Sequence, residues 1–115
     1  MNRNFRLTQS TDFKRVRRFG KSYAHPLVVL IVSPNNEGRT LIGVTAGQSV
    51  GNAVQRNRAK RLLREVMRTL LSMLKPGWNI ILVSRKPILE AKLPEIQICL
   101  QQLLSKANLM IDRDE

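Results

Sequence analysis

Apolar positions fall into blocks along the chain, and the period changes from one block to the next. Leu27-Val28-Val29-Leu30-Ile31-Val32 is a continuous, largely β-branched run bounded by Pro26 and Pro34. Such a run predicts a buried strand, with residues 22–25 forming a short strand before it. Asn35-Asn36-Glu37-Gly38 is turn chemistry, so residues 39–46 are expected to return as an antiparallel strand. Along it Ile42, Val44 and Ala46 face one way, and Leu41, Gly43 and Thr45 the other. The second face is small enough to let a ligand approach the sheet. The period then changes. Ala59, Leu62, Leu63, Val66, Met67, Leu70, Leu71 and Leu74 recur at steps of three and four, the signature of a helix with one buried face. Asn52 suits its N-cap, with Gln55 placed to complete a capping box, and Pro76-Gly77 stops it near Lys75.

Residues 78–84 read as a further strand. Pro94 opens a last helix whose apolar face is Ile96, Leu100, Leu103, Leu104 and Ala107. Near the start, Ser10 suits the N-cap of a short helix through Phe19, closed by Gly20, with Phe13 and Val16 on one face. The order helix, strands, helix, strand, helix predicts an α+β sandwich, an open sheet covered by helices. At 115 residues the chain is one domain, with residues 1–9 a basic arm and residues 112–115 a polar tail.

Charge sharpens this picture. The net charge is +12, and of the 20 basic side chains seven lie in residues 1–21 and seven in residues 52–75. So much self-repulsion calls for a polyanionic partner. In the central helix Arg56, Lys60 and Arg64 form one row and Arg61, Arg64 and Arg68 a second beside it, with Arg58 further round. Glu65 alone supplies an opposite charge within that helix. An ordinary solvated face mixes signs, because like charges four apart destabilise a helix by roughly 0.2–0.5 kcal/mol per pair. Arginine outnumbers lysine here, and a planar guanidinium matches phosphate oxygens. The central helix is therefore expected to bind nucleic acid. After Glu90 acids outnumber bases, so the C-terminal part is expected to face away from it.

Other classes lose ground. Cys99 is the only cysteine and sits among apolar residues, which suits a small core side chain and no disulfide or zinc site. His25 is the only histidine, precedes a proline and reads as a surface residue. There are no paired carboxylates, no metal-ligand spacing and no nucleophile beside a base, so neither a catalytic nor a metal site is expected in the chain. No run nears the ~18 apolar residues of a membrane span, and a cytoplasmic protein is expected. Composition and charge leave open a structural RNA-binding protein of ribosomal type, an RNA-processing subunit, and a DNA-binding protein that lays its helix in a major groove.

Residues 50–65, with the core Gly51-Asn52-Ala53-Val54 and Arg56-Asn57-Arg58-x-Lys60-Arg61, resemble the signature of the protein subunit of bacterial ribonuclease P. Arg6-Leu7, Asp12-Phe13-x-x-Val16 and Gly20, Gly43-Val44-Thr45, Arg85-Lys86-Pro87 and residues 103–107 fit the same family. The resemblance implies an αβββαβα sandwich with a mixed sheet and a left-handed βαβ crossover. It implies maturation of transfer RNA, in which the holoenzyme removes the 5′ leader of precursor tRNA. Catalysis and Mg²⁺ would belong to the RNA subunit. Arg56, Asn57, Arg58, Arg61, Arg64 and Arg68 would bind ribonuclease P RNA; Phe13, Arg17, Ile31, Thr45 and Lys60 would line a cleft for the single-stranded leader. No membrane and no obligate protein partner is implied. The chain departs from the family pattern where aromatics often stand at the positions of Arg17 and Ile31, and where two lysines often stand at Gln48 and Ser49. With fewer aromatic rings, cations would carry more of the leader binding.

Overall fold

The computed structural model describes residues 10–111, so the expected arm at 1–9 and tail at 112–115 lie outside the described residues. In chain order the elements are α1 (Ser10–Phe19), β1 (Lys21–Ala24), β2 (Val28–Pro34), β3 (Leu41–Ala46), α2 (Ala53–Leu70), β4 (Trp78–Ser84) and α3 (Leu93–Lys106). Ser10, expected as a cap, is the first residue of α1 itself. The strands form one mixed sheet in the order β1-β2-β4-β3, an α+β sandwich with the αβββαβα element order.

One expectation is corrected by that order. β3 does not return onto β2; β4 lies between them, antiparallel to β2 and parallel to β3. The physical reason lies in β4. Ile80, Ile81 and Leu82 are completely buried, so this strand needs cover on both faces and a partner on both edges. The turn residues serve the same pairing. Asn35 donates its backbone N–H to Gly77 O (2.8 Å) and its amide to Asn79 Oδ1 (3.0 Å), tying the loop after β2 to the start of β4. Thr40 Oγ1 donates to Lys75 O (2.6 Å) and accepts from the Trp78 N–H (3.3 Å), while Ser84 Oγ donates to Thr45 O (2.9 Å). Hydroxyls at both ends thus hold β3 in register along β4.

The sheet has a core on each side. Val28, Leu30, Ile42, Ile80 and Leu82 meet α2 and α3 through Ala59, Leu63, Met67, Ile96 and Leu100. On the other side Ile31, Leu41 and Ile81 meet Val16 of α1, with Phe13, Val29 and Val83 packed around them. The stripe predicted along the central helix is the buried one, with Leu62 and Leu71 at its half-buried margins. The α-helical part stops at Leu70, earlier than Lys75, and residues 71–73 tighten into a 3-10 turn before Pro76. α3 ends in a Schellman arrangement: Asn108 takes φ of 59°, and the Leu109 N–H reaches Leu104 O at 3.0 Å. Leu109 is then fully buried and Ile111 donates to Met73 O at 2.7 Å, so this segment closes over the end of α2.

The start of α2 is fixed by the capping box expected from Asn52 and Gln55. The Gln55 N–H donates to Asn52 Oδ1 and the Asn52 N–H to Gln55 Oε1, both at 2.9 Å. Gly51 before it has φ of 148°, and a Cβ there would collide with the Gln55 side chain. Gly51→Ala is therefore expected to break the box and lower stability by about 1 kcal/mol, the usual cost of a lost cap. Urea denaturation of the variant checks this, with the midpoint moving down at an unchanged slope.

Candidate nucleic-acid interface

α2 presents its cations by the same periodicity that buries its apolar stripe. Asn57, Arg58, Arg61 and Arg68 are exposed, and Arg56, Lys60 and Arg64 are half-buried along the margin of the stripe. Arg61, Arg64, Glu65 and Arg68 line a shallow depression of about 240 Å³. Arg56 is also structural, because its Nη1 donates to Gly51 O at 3.0 Å and braces the entry to the helix. The first turn of α2 holds no acid. A helix start already carries about half a positive charge, so arginines beside it raise the local potential and favour an anion such as phosphate.

The opposite face of the sheet is read in rows across the strands. In the first row Val29, Val83 and Thr45 stand side by side, all half-buried. In the next row Ile31, Ile81 and Gly43 are all buried. α1 lies over the buried row through Val16, and Phe13, Val29 and Val83 pack half-buried around the same cluster. The first row therefore remains partly open beside α1. Arg17, one turn beyond Phe13, is exposed.

Of the residues expected to form a cleft, Thr45 lies in this open row, Phe13 packs against the buried cluster beneath α1, and Arg17 is exposed on α1. Ile31 is placed otherwise. It is 6% exposed and lies against Val16, so it supports the floor and presents little surface to a ligand. Lys60 is half-buried on α2, on the far side of the sheet from Phe13. Val29 and Val83, which do face the opening, were not anticipated. The alternation along β2 puts Val29 on the same face as Ile31, but only the position of α1 reveals which of the two is covered.

The remaining titratable candidates have structural roles. His25 Nδ1 accepts from the Leu27 N–H at 3.1 Å, holding the turn before β2. Cys99 is buried in the α3 core, and burial pushes its thiol up to about 11, so it stays neutral near pH 7. Among the described residues no three His, Cys, Asp or Glu side chains gather as a metal site would require, and no helix is long and apolar enough to cross a membrane.

This arrangement has counterparts. The family profile described as ribonuclease P matches residues 1–108. The ribonuclease P protein component of Herpetosiphon aurantiacus is 39% identical over 115 residues, covering 100% of this chain and 94% of that protein. That of Dehalococcoides mccartyi is 37% identical, covering 96% and 90%. Among solved structures, the RNase P protein of Staphylococcus aureus superposes with a TM-score of 0.79 at 29% identity, over 92% of this chain and 97% of that one. The RNase P protein from Thermotoga maritima gives 0.78 at 26% identity, over 88% and 96%. On this extent of similarity in sequence and in fold, the chain belongs to the family of ribonuclease P protein components.

Proposed function

We propose that this protein acts in the 5′ maturation of transfer RNA as the subunit that positions RNA and leaves bond cleavage to its RNA partner. One observation carries the reading: the cations of α2 and the half-open row beside Phe13 lie on opposite faces of a sheet only one strand layer thick. Two RNA segments can thereby be held at once. In this division Arg58, Arg61, Arg64 and Arg68, with Arg56 and Asn57 at the helix start, meet phosphates of ribonuclease P RNA. Phe13, Thr45, Val29 and Val83, flanked by Arg17, receive the single-stranded leader of precursor tRNA, with Ile31 supporting the floor, while Lys60, on the α2 face, joins the cations that meet the RNA subunit. In this reading Mg²⁺ is held by the RNA, and this chain's residues act on the two RNAs alone. The protein contributes electrostatically, offsetting repulsion between two polyanions so that less Mg²⁺ is needed. A cytoplasmic setting, where both RNAs reside, goes with this role.

Reconstitution tests it. Protein and a bacterial ribonuclease P RNA are mixed with precursor tRNA at low Mg²⁺. Cleavage at the mature 5′ end is expected only with both present, and shortening the leader is expected to reduce the gain from protein. Binding of the RNA with cleavage unchanged at every Mg²⁺ concentration would favour a purely structural RNA-binding role. Metal-dependent cutting by the protein alone would overturn the assignment of chemistry to the RNA.

A further inference from the structure

The chain holds only five aromatic residues, three Phe, one Tyr and one Trp. Three of them, Phe19, Tyr23 and Trp78, line one cavity of about 380 Å³ together with Lys21, Ser33 and Pro34. It lies at the end of the sheet where β1 and β4 begin and β2 ends, as the pairings Lys21 with Val32 and Pro34 with Trp78 fix. The open row at Val29 is five residues back along β2, about 17 Å at 3.4 Å per residue. The two openings are therefore separate.

Phe19 is 74% exposed, which makes it no part of either core. An aromatic left in water at the rim of a cavity is a surface waiting for cover. Its neighbours suggest what covers it. Arg18 Cζ stands 5.2 Å from the Phe19 ring centroid, and Lys21 Nζ stands 5.5 Å from that of Tyr23. Among the described residues, Lys21 is the only charged one lining the cavity. A cation beside the exposed ring of Phe19 and another beside the half-buried ring of Tyr23 repel a cationic partner and disfavour a purely apolar one. It suits a ligand that is flat and aromatic with anionic links on either side, namely an unpaired nucleotide in a strand. The volume falls at the low end of the ~300–1,000 Å³ typical of small-ligand sites.

Resting on the RNA-binding function proposed above, we infer that Phe19, Tyr23 and Trp78 form a second single-strand RNA site, separate from both α2 and the row beside Phe13. A base stacks on Phe19 at the cavity mouth, and Arg18 and Lys21 meet the phosphates on either side of it.

Trp78 is the only tryptophan, so its fluorescence reports on this cavity directly. The full-length protein is titrated with an oligouridylate of about ten nucleotides, within the range of strand lengths such sites bind. Saturable quenching is expected, weakened roughly tenfold by Phe19→Ala, an ordinary loss for one stacked base. Phe19→Tyr, which keeps the ring, should restore it, and Lys92→Ala, which removes an exposed cation at the start of α3, should leave the quenching curve in place. Because Phe19 is exposed, its loss should not alter the circular dichroism spectrum. Quenching that depends on Phe13 and not on Phe19 would overturn the second site. So would a Phe19-dependent increase in molecular mass with protein concentration, which would make the patch a contact between copies. If the protein binds ribonuclease P RNA while Trp78 ignores the oligomer, this site falls and the proposed function stands. If it binds neither RNA, both fall.

Discussion

Arg58→Ala and Arg61→Ala are each expected to weaken binding of ribonuclease P RNA about tenfold and to lower the slope of log affinity against log salt by about one. Both side chains are exposed on α2, and neither braces the fold as Arg56 does at Gly51. Removing them should therefore subtract phosphate contacts and leave stability unchanged to within about 0.5 kcal/mol, as for most surface substitutions. The salt slope is the decisive readout, because a contact to phosphate releases a counterion and a merely structural role does not. Lys92→Ala is the matched control: it also removes an exposed cation, but at the start of α3. Binding titrations over a range of salt concentrations should show two shallower lines and one unchanged. Unchanged slopes in both arginine variants would take α2 out of the interface.

Gly20→Ala is expected to lower stability by about 1–3 kcal/mol, the usual cost of overpacking, and to weaken leader binding more than binding of the RNA subunit. A Cβ on Gly20 would run into the backbone oxygens of Val16 and Val32 and into Ile31 Cγ2 at 2.8 Å. Two of those neighbours are main chain and cannot rotate away. Gly20 also donates its N–H to Val16 O at 2.7 Å, so it closes α1 at the point where the helix meets the sheet. The relief available is for α1 to lift from Ile31, and that movement carries Phe13 away from the sheet face it packs against. α2 lies on the other face of the sheet and should not feel it. Urea denaturation measures the first effect. The second is the difference in affinity between precursor tRNA with and without its leader, which should shrink in the variant. A difference left at its original size would mean that α1 does not shape the leader site.

Much of this was legible in the sequence because local chemistry and tertiary role agree there. The capping box at Asn52 and Gln55, the stripe from Ala59 to Leu74 and the branched run from Leu27 to Val32 need no distant information to be recognised. The sheet order was different. Asn35 to Gly38 closes a turn with its own bonds, from the Glu37 N–H to Asn35 Oδ1 and from the Asn35 amide to Arg39 O, yet Asn35 also bonds across to Gly77 and Asn79. Nothing local announces that β4 will take the central place; that follows from Ile80, Ile81 and Leu82 all demanding cover. The arginines of α2 could be placed on their face by counting residues along a helix. The cleft could not, because Val29 and Ile31 are equivalent in the alternation and only the position of α1 separates them. The burial of Leu109 was likewise hidden, since it depends on the left-handed turn at Asn108 folding the chain back over α2.

The central place of β4 also bears on how the chain is made. A ribosome that has released only the first 77 residues has produced β2, β3 and α2, but not the strand with which both β2 and β3 pair. Until residues 78–84 emerge, the inner edges of two apolar strands have no neighbour, the condition under which unfinished chains stick to one another. The sheet is thus completed in a single late event, when one segment is inserted between two that were synthesised before it. By then the arginine-rich segment has already left the ribosome, and RNA is within its reach before the sheet is closed.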